Sequence, residues 1–263
     1  MYQNDNNNNN SNYYNQGLQD PYCNQGQQDP IGYEPYEPIS KNLSDRSRMG
    51  FIRKVYSILS VQLLLTVAFS AASMYFHKFN QWQAENLWVF AITIPLTFIS
   101  MYALYCYPKV ARSTPGNYIW LFIFTICESW SISMICAFTD PVDVFIALAL
   151  TSAIVVGLTI YAFTTSTDFT ACYAFMFALS LCMLVGAILT IFIHNAFMVI
   201  AISFGCAVIA SIWLIYDTQL IVGKHAHKWQ IDDYILAALS LYIDIIRIFI
   251  EILRIISIIN GDN

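Results

Sequence analysis

The sequence predicts an all-α polytopic membrane protein with seven candidate transmembrane helices behind a disordered N-terminal tail. Three observations carry that prediction. Of 263 residues, 57% are apolar and only 11% charged, where a soluble domain carries about 25% charged residues. So few charges cannot cover a globular surface, and the mean hydropathy of +0.54 agrees. Beyond Lys54 the chain also falls into uncharged runs long enough to cross a bilayer.

Residues 1–48 read as the tail and 49–263 as the membrane domain. Asn dominates from Asn4 to Asn12, followed by Gln, Tyr, Pro and Gly, with near-repeats at Gln19-Asp20-Pro21 and Gln28-Asp29-Pro30 and again in Tyr33-Glu34-Pro35-Tyr36-Glu37-Pro38. This composition has too little aliphatic surface to offset the entropy of ordering. The Tyr-Glu-Pro repeats either dock a partner in extended form or are simply solvated. Cell-death regulators and other membrane proteins are the partners considered for this tail. No apolar segment precedes Phe51, so no cleavable signal peptide is expected.

A helix needs about 20 apolar residues to span the hydrocarbon. Uncharged runs occur at Val55–Phe76, Asn86–Pro108, Ser113–Thr139 (interrupted only by Glu128), Val144–Thr167 and Phe169–Tyr216. The last is too long for one span and breaks at Ile193-His194-Asn195-Ala196. The seventh segment, Tyr234–Ile259, is apolar on most faces but carries four charges, so it either spans or re-enters. Pro95 is expected to kink the second span. Gly157, Gly186 and Gly205 mark close helix packing.

The positive-inside rule sets the orientation. Lys41, Arg46, Arg48, Arg53 and Lys54 precede the first span, Lys109 and Arg112 follow the second, and Lys224 and Lys228 follow the sixth. The opposite loops hold Lys78 against Glu85, Asp140 and Asp143. The N-terminus is therefore expected to be cytosolic, which leaves the sequons at Asn9 and Asn42 unmodified.

A net charge of −5 offers no basic footprint for nucleic acid. Of the seven cysteines, only Cys23 lies in the tail. Cys106, Cys127, Cys136, Cys172, Cys182 and Cys206 lie in apolar stretches with no CxxC pair, and read as small apolar residues packing between helices. No zinc site, redox motif or bound cofactor is expected.

Charge inside a bilayer costs roughly 2.5–3.5 kcal/mol per group on insertion scales, so Glu128, Asp217, Asp244, Arg247, Glu251 and Arg254 are the informative residues. The last four follow at spacings of 3, 4 and 3, and Ser240, Ala237 and Asp233 extend the series backwards. On a helix these share one narrow face. A helix that is apolar except for one charged stripe belongs among other helices with the stripe on a cavity. Asp217 lies six residues before Gly223, about 9 Å from that helix end, and Asp244 lies eleven residues after Asp233, about 16 Å from the same side. Tilt or a deep loop brings them to one depth. Two carboxylates sharing a low-dielectric site cannot both ionise easily and titrate as a unit. Such a pair is a proton sensor, or a site that a divalent cation such as calcium occupies transiently in place of the proton. The alternative is architectural, with Asp244–Arg247 and Arg247–Glu251 as buried ion pairs. Glu128, alone in its span, either pairs with an Arg of the last helix or lines an ion path.

Four motifs in order resemble the Bax-inhibitor family: Phe51-Ile52-Arg53-Lys54-Val55-Tyr56, Phe124-Thr125-Ile126-Cys127-Glu128, Tyr216-Asp217-Thr218-Gln219, and Asp232-Asp233-Tyr234-Ile235 running into Ala238-Leu239-Ser240-Leu241-Tyr242-Ile243-Asp244-Ile245-Ile246. The Asn/Gln/Tyr/Pro-rich tail looks like the Lifeguard branch, related to glutamate-receptor-associated membrane proteins. The resemblance covers roughly residues 45–260. It implies seven helices with the last central and wrapped by the other six. It further implies a pH-sensitive calcium leak from the endoplasmic reticulum or Golgi, and restraint of cell death. The family's di-aspartyl pH sensor falls on Asp217 and Asp244. An Arg of the second helix latches onto the first aspartate in bacterial relatives, and Lys109 and Arg112 are the two candidates here.

Two intramembrane aspartates also describe presenilin-type proteases, but those need Gly-x-Gly-Asp. Asp244 follows Leu241-Tyr242-Ile243, and the only Gly-Asp is Gly261-Asp262. His225 and His227 sit beside Lys224 and Lys228 and read as solvated. No enzyme is expected. A seven-helix receptor is disfavoured by the cytosolic N-terminus and the stripe in the last helix. A non-conducting anti-apoptotic scaffold acting through partner proteins remains the alternative.

Overall fold

The computed structural model describes residues 39–192, 195–223 and 229–261. The expected tail up to residue 38, His194, the basic loop Lys224–Lys228 with its two histidines, and Asp262 lie outside the described residues. Among the described residues every regular element is a helix.

The chain runs through α1 (Ile39–Tyr75), α2 (His77–Glu85), α3 (Trp88–Cys106), α4 (Pro108–Arg112), α5 (Gly116–Ala137), α6 (Pro141–Thr164), α7 (Tyr173–Phe192), α8 (Ala196–Val222) and α9 (Tyr234–Asn260). Single 3₁₀ turns at Phe169–Cys172 and Ile231–Asp233 precede α7 and α9. Among the described residues six helices are long and apolar enough to cross a membrane: α1 from Arg46, then α3, α5, α6, α7 with its leading turn, and α8. α9 is too charged to join them on hydropathy, yet its 27 residues extend about 40 Å at 1.5 Å per residue.

Local chemistry explains the boundaries. Asp140 caps α6, its side chain accepting from the Val142 amide at 2.7 Å, and Pro141 occupies the first turn, where its missing N–H costs nothing. Asn195 caps α8 by accepting from the Phe197 amide at 2.9 Å, which places the break in the long apolar run where the sequence predicts it. Gly223 (φ 71°) and Gly261 (φ 84°) end α8 and α9 in the left-handed conformation, which a side chain disfavours. Pro95 lies inside α3, which continues to Cys106. α1 begins at Ile39, so residues 39–48, expected as tail, are helical; Arg48, on this first stretch, is anchored by backbone carbonyls more than 170 residues away.

α9 is the inner helix. Ala237, Ala238, Leu239, Tyr242 and Ile248 are completely buried, and α9 packs against α8, α6, α5 and α4. α1 reaches it through Thr66, which shares a 2.8 Å hydrogen bond with the Tyr242 hydroxyl. α3 packs chiefly on α5, and α7 chiefly on α8, so the expectation that all six wrap the last helix holds for the inner neighbours, with α3 and α7 standing mainly one layer out. The cysteine expectation is also corrected: Cys127 and Cys136 are buried between helices, whereas Cys106, Cys172 and Cys182 are exposed on the outer surface.

Candidate functional site

α8 and α9 run antiparallel, joined by a short connection, and this brings Asp217 and Asp244 to one depth. Their carboxyls lie within reach of each other, and the Ser240 hydroxyl, one turn before Asp244 on α9, donates to the Ala237 carbonyl at 3.2 Å. All three residues are buried, at 7%, 9% and 8% exposure for Asp217, Asp244 and Ser240. A hydrogen bond between two carboxyls exists only while one of them carries a proton, because two carboxylates are both pure acceptors. The second Asp244 oxygen, Oδ2, is buried without a partner. The charged and titratable groups facing the pair are Tyr105 of α3, Tyr216 of α8 and Arg247 of α9 itself.

The predicted stripe is therefore continuous but changes character along α9. Asp233, Ala237, Ser240 and Asp244 are buried, Arg247 and Arg254 are exposed, and Glu251 is half-buried. The ion pairs of the architectural alternative, Asp244–Arg247 and Arg247–Glu251, are not among the salt bridges of the described residues. The pair that does form within the stripe is Arg254 with Glu251, at 3.5 Å. Arg247 instead borders a cleft of about 230 Å³ with Glu128 and Glu251, floored by Phe124 and Tyr242. Glu128 thus faces the last helix, as a wall of this cleft. Among the described residues no group of three or more His, Cys, Asp or Glu side chains could hold a resident metal. Asp217 and Asp244 supply only two carboxyls.

Neither latch candidate sits on Asp217. Arg112 forms a bidentate pair with Asp233, Nε to Oδ1 at 2.8 Å and Nη2 to Oδ2 at 3.1 Å, and this pairing holds the guanidinium firmly in its charged form. The reason is positional: α4 lies at the start of α9, next to the 3₁₀ turn that carries Asp233. Lys109 is exposed.

Three features escaped the sequence. Arg48 clasps the end of α8: its guanidinium donates to the carbonyls of Leu220 and Val222 and, at 2.6 Å, to that of Trp229 in the α8–α9 connection. It thus satisfies helix-end acceptors that have no intrahelical donor on the helix carrying Asp217. Lys54 stands 3.2 Å over the Tyr234 ring at the start of α9, a cation–π contact. A buried polar ladder also ties α1 to α5: Gln62 donates to Thr125 at 3.0 Å, Thr66 meets Ser129 at 3.0 Å, and Gln83 of α2 donates to Ser133 at 2.9 Å. The spacing of four between Thr125, Ser129 and Ser133 was the available signal for that face.

Comparison with known proteins fits this architecture. A family model described as inhibitor of apoptosis-promoting Bax1 matches residues 48–261. Protein lifeguard 3 of Homo sapiens is 33% identical over 216 residues, covering 79% of this chain and 68% of the relative. Protein LIFEGUARD 4 of Arabidopsis thaliana is 34% identical over 222 residues, covering 81% and 86%, and protein lifeguard 4 of Mus musculus is 32% identical over 213 residues, covering 81% and 87%. The match runs through the apolar helices, the Asp217 and Asp244 segments and the inner last helix alike, and the chain belongs to the Bax inhibitor family, on its Lifeguard branch.

Proposed function

We propose that this protein is an anti-apoptotic membrane protein that acts as a pH-gated calcium leak, residing in the endoplasmic reticulum or Golgi with its N-terminus in the cytosol. The observation that carries the reading is the buried Asp217–Asp244 pair joining the last two helices. While the pair holds a proton, the carboxyl–carboxyl hydrogen bond draws α8 to α9. Loss of that proton leaves two adjacent anions, which repel by about 4 kcal/mol at 4 Å and an effective dielectric of about 20. Either the helices part or a cation enters to neutralise the pair. Both responses favour passage of a divalent cation, so the leak rises as the pH rises. The Glu128–Arg247–Glu251 cleft extends polar surface along α9 beyond the pair and supplies the remainder of the path. The Arg112–Asp233 clamp and the Arg48 clasp hold the helix ends on either side of the α8–α9 connection, so that motion is concentrated at the pair.

The test is calcium flux from liposomes containing the purified protein, across roughly pH 5.5 to 8 to bracket a buried carboxyl, beside Asp217→Asn and Asp244→Asn. An amide donates to the remaining aspartate without needing a proton, so each variant keeps α8 and α9 joined and its leak is low and flat with pH. Absence of leak from folded wild-type protein at every pH overturns the channel and leaves a non-conducting scaffold.

A further inference from the structure

We propose that the groove between α1 and α6 binds one acyl chain of a bilayer phospholipid. The groove has a volume of about 370 Å³, within the range of about 300–1,000 Å³ typical of small-molecule sites. Its α1 wall runs from Leu63 to Tyr75 and its α6 wall from Val144 to Val156. Twelve residues of helix rise about 18 Å, close to the half-thickness of a hydrocarbon core about 30 Å deep. The groove therefore spans one leaflet, the length over which a single chain lies. Its lips carry exposed apolar side chains, Val67 at 47%, Phe145 at 53% and Val156 at 59%, on two helices that cross the membrane, so the medium at the opening is hydrocarbon. Water has almost no polar partner inside and does not fill such a space, while an empty groove forfeits dispersion contacts along its whole lining. At the outer end the wall finishes at exposed Tyr75, a residue suited to the interface, and exposed Lys78 follows three positions later. Lys78 and exposed Asp140 at the outer end of α6 together present both signs of charge, which suits a zwitterionic phospholipid headgroup.

The floor of the groove gives the site its interest. It is formed by Ile245, Ile246 and Phe249 of the inner helix, and Ile245 directly follows Asp244. A bound chain thus touches α9 beside the carboxyl pair, and it does so whether or not the protein conducts ions.

The experiment reconstitutes the full chain in phosphatidylcholine vesicles carrying a photoactivatable diazirine on one acyl chain, and maps the labelled residues after illumination. Label is expected on Ile245 and Phe249, which are 8% exposed, as well as on the outer α7 residues Phe175 and Leu184. Ala71→Phe, which fills the groove, and Val67→Trp, which closes its mouth from an exposed position, are expected to remove the α9 label and keep the α7 label, the latter reporting an intact fold. Label confined to α7 in the wild-type protein, α9 label that survives both variants, or cross-links from the groove to a second copy of the chain in place of lipid would each overturn the proposal.

Discussion

Replacing Arg48 with alanine removes its hydrogen bonds to three backbone carbonyls, at Leu220, Val222 and Trp229, of which Leu220 keeps the Trp229 amide as a donor at 3.1 Å. Hydrogen bonds to a charged group contribute about 1.5–3 kcal/mol each. The contact to Val222 is long, at 3.4 Å, and the guanidinium is only half-buried, so water compensates part of the loss. A net cost of about 2–3 kcal/mol follows, or about 4–12 °C in Tm at about 2–4 °C per kcal/mol for a chain of this size. Thermal unfolding of the detergent-solubilised protein reads it. Gly223 supplies an internal check: a Cβ there meets the Arg48 guanidinium at 2.5 Å, on a backbone with φ 71°. Gly223→Ala therefore destabilises twice over, by about 1–2 kcal/mol of backbone strain and by collision with the clasp. In an Arg48→Ala background only the strain remains, so the two substitutions couple. A cost for Arg48→Ala below about 0.5 kcal/mol, the usual range for a surface change, or strict additivity of the two, would refute the clasp.

Tyr242→Phe removes the hydroxyl joined to Thr66 and should cost about 1 kcal/mol, seen as a lower Tm; no change would mean that the ladder rearranges around it. Arg112→Ala frees Asp233 at the start of α9, and hydrogen exchange should quicken at residues 231–236 while the middle of α9 stays protected. Uniform exchange along α9 in both proteins would count against a clamp at this end. In the liposome assay, the Asp217→Asn and Asp244→Asn proteins should lose the pH dependence together, because either change supplies the missing donor.

Much of this structure was legible from residue type and spacing. The uncharged runs marked six apolar helices, since a backbone in lipid must satisfy its own hydrogen bonds and length alone then sets the element. The 3-4-3 spacing placed Asp244, Arg247, Glu251 and Arg254 on one face, and depth measured from Gly223 and Asp233 put Asp217 near Asp244. Arg48 was legible only as a positive charge. Its partners are backbone carbonyls 172 to 181 residues away, and carbonyls carry no sequence signal. The two arginines resolved differently for a related reason. Arg112 found Asp233 because α4 ends beside the turn before α9, whereas Arg247, for which pairing within its own helix was one of two readings, borders the Glu128 cleft. Periodicity assigns a face to each side chain; it does not say which neighbouring helix meets that face.

The most direct test follows the proton itself. Infrared difference spectra recorded during a pH titration of the reconstituted protein report the carbonyl stretch of a protonated carboxylic acid, and calcium flux can be measured in the same vesicles. The band should disappear over the pH range in which the leak rises, and it should be missing in both Asp217→Asn and Asp244→Asn, where the remaining aspartate accepts from the amide as an anion. A band that titrates while the flux stays constant, or a leak that rises with pH in protein lacking the band, would contradict a gate built on the proton shared by Asp217 and Asp244.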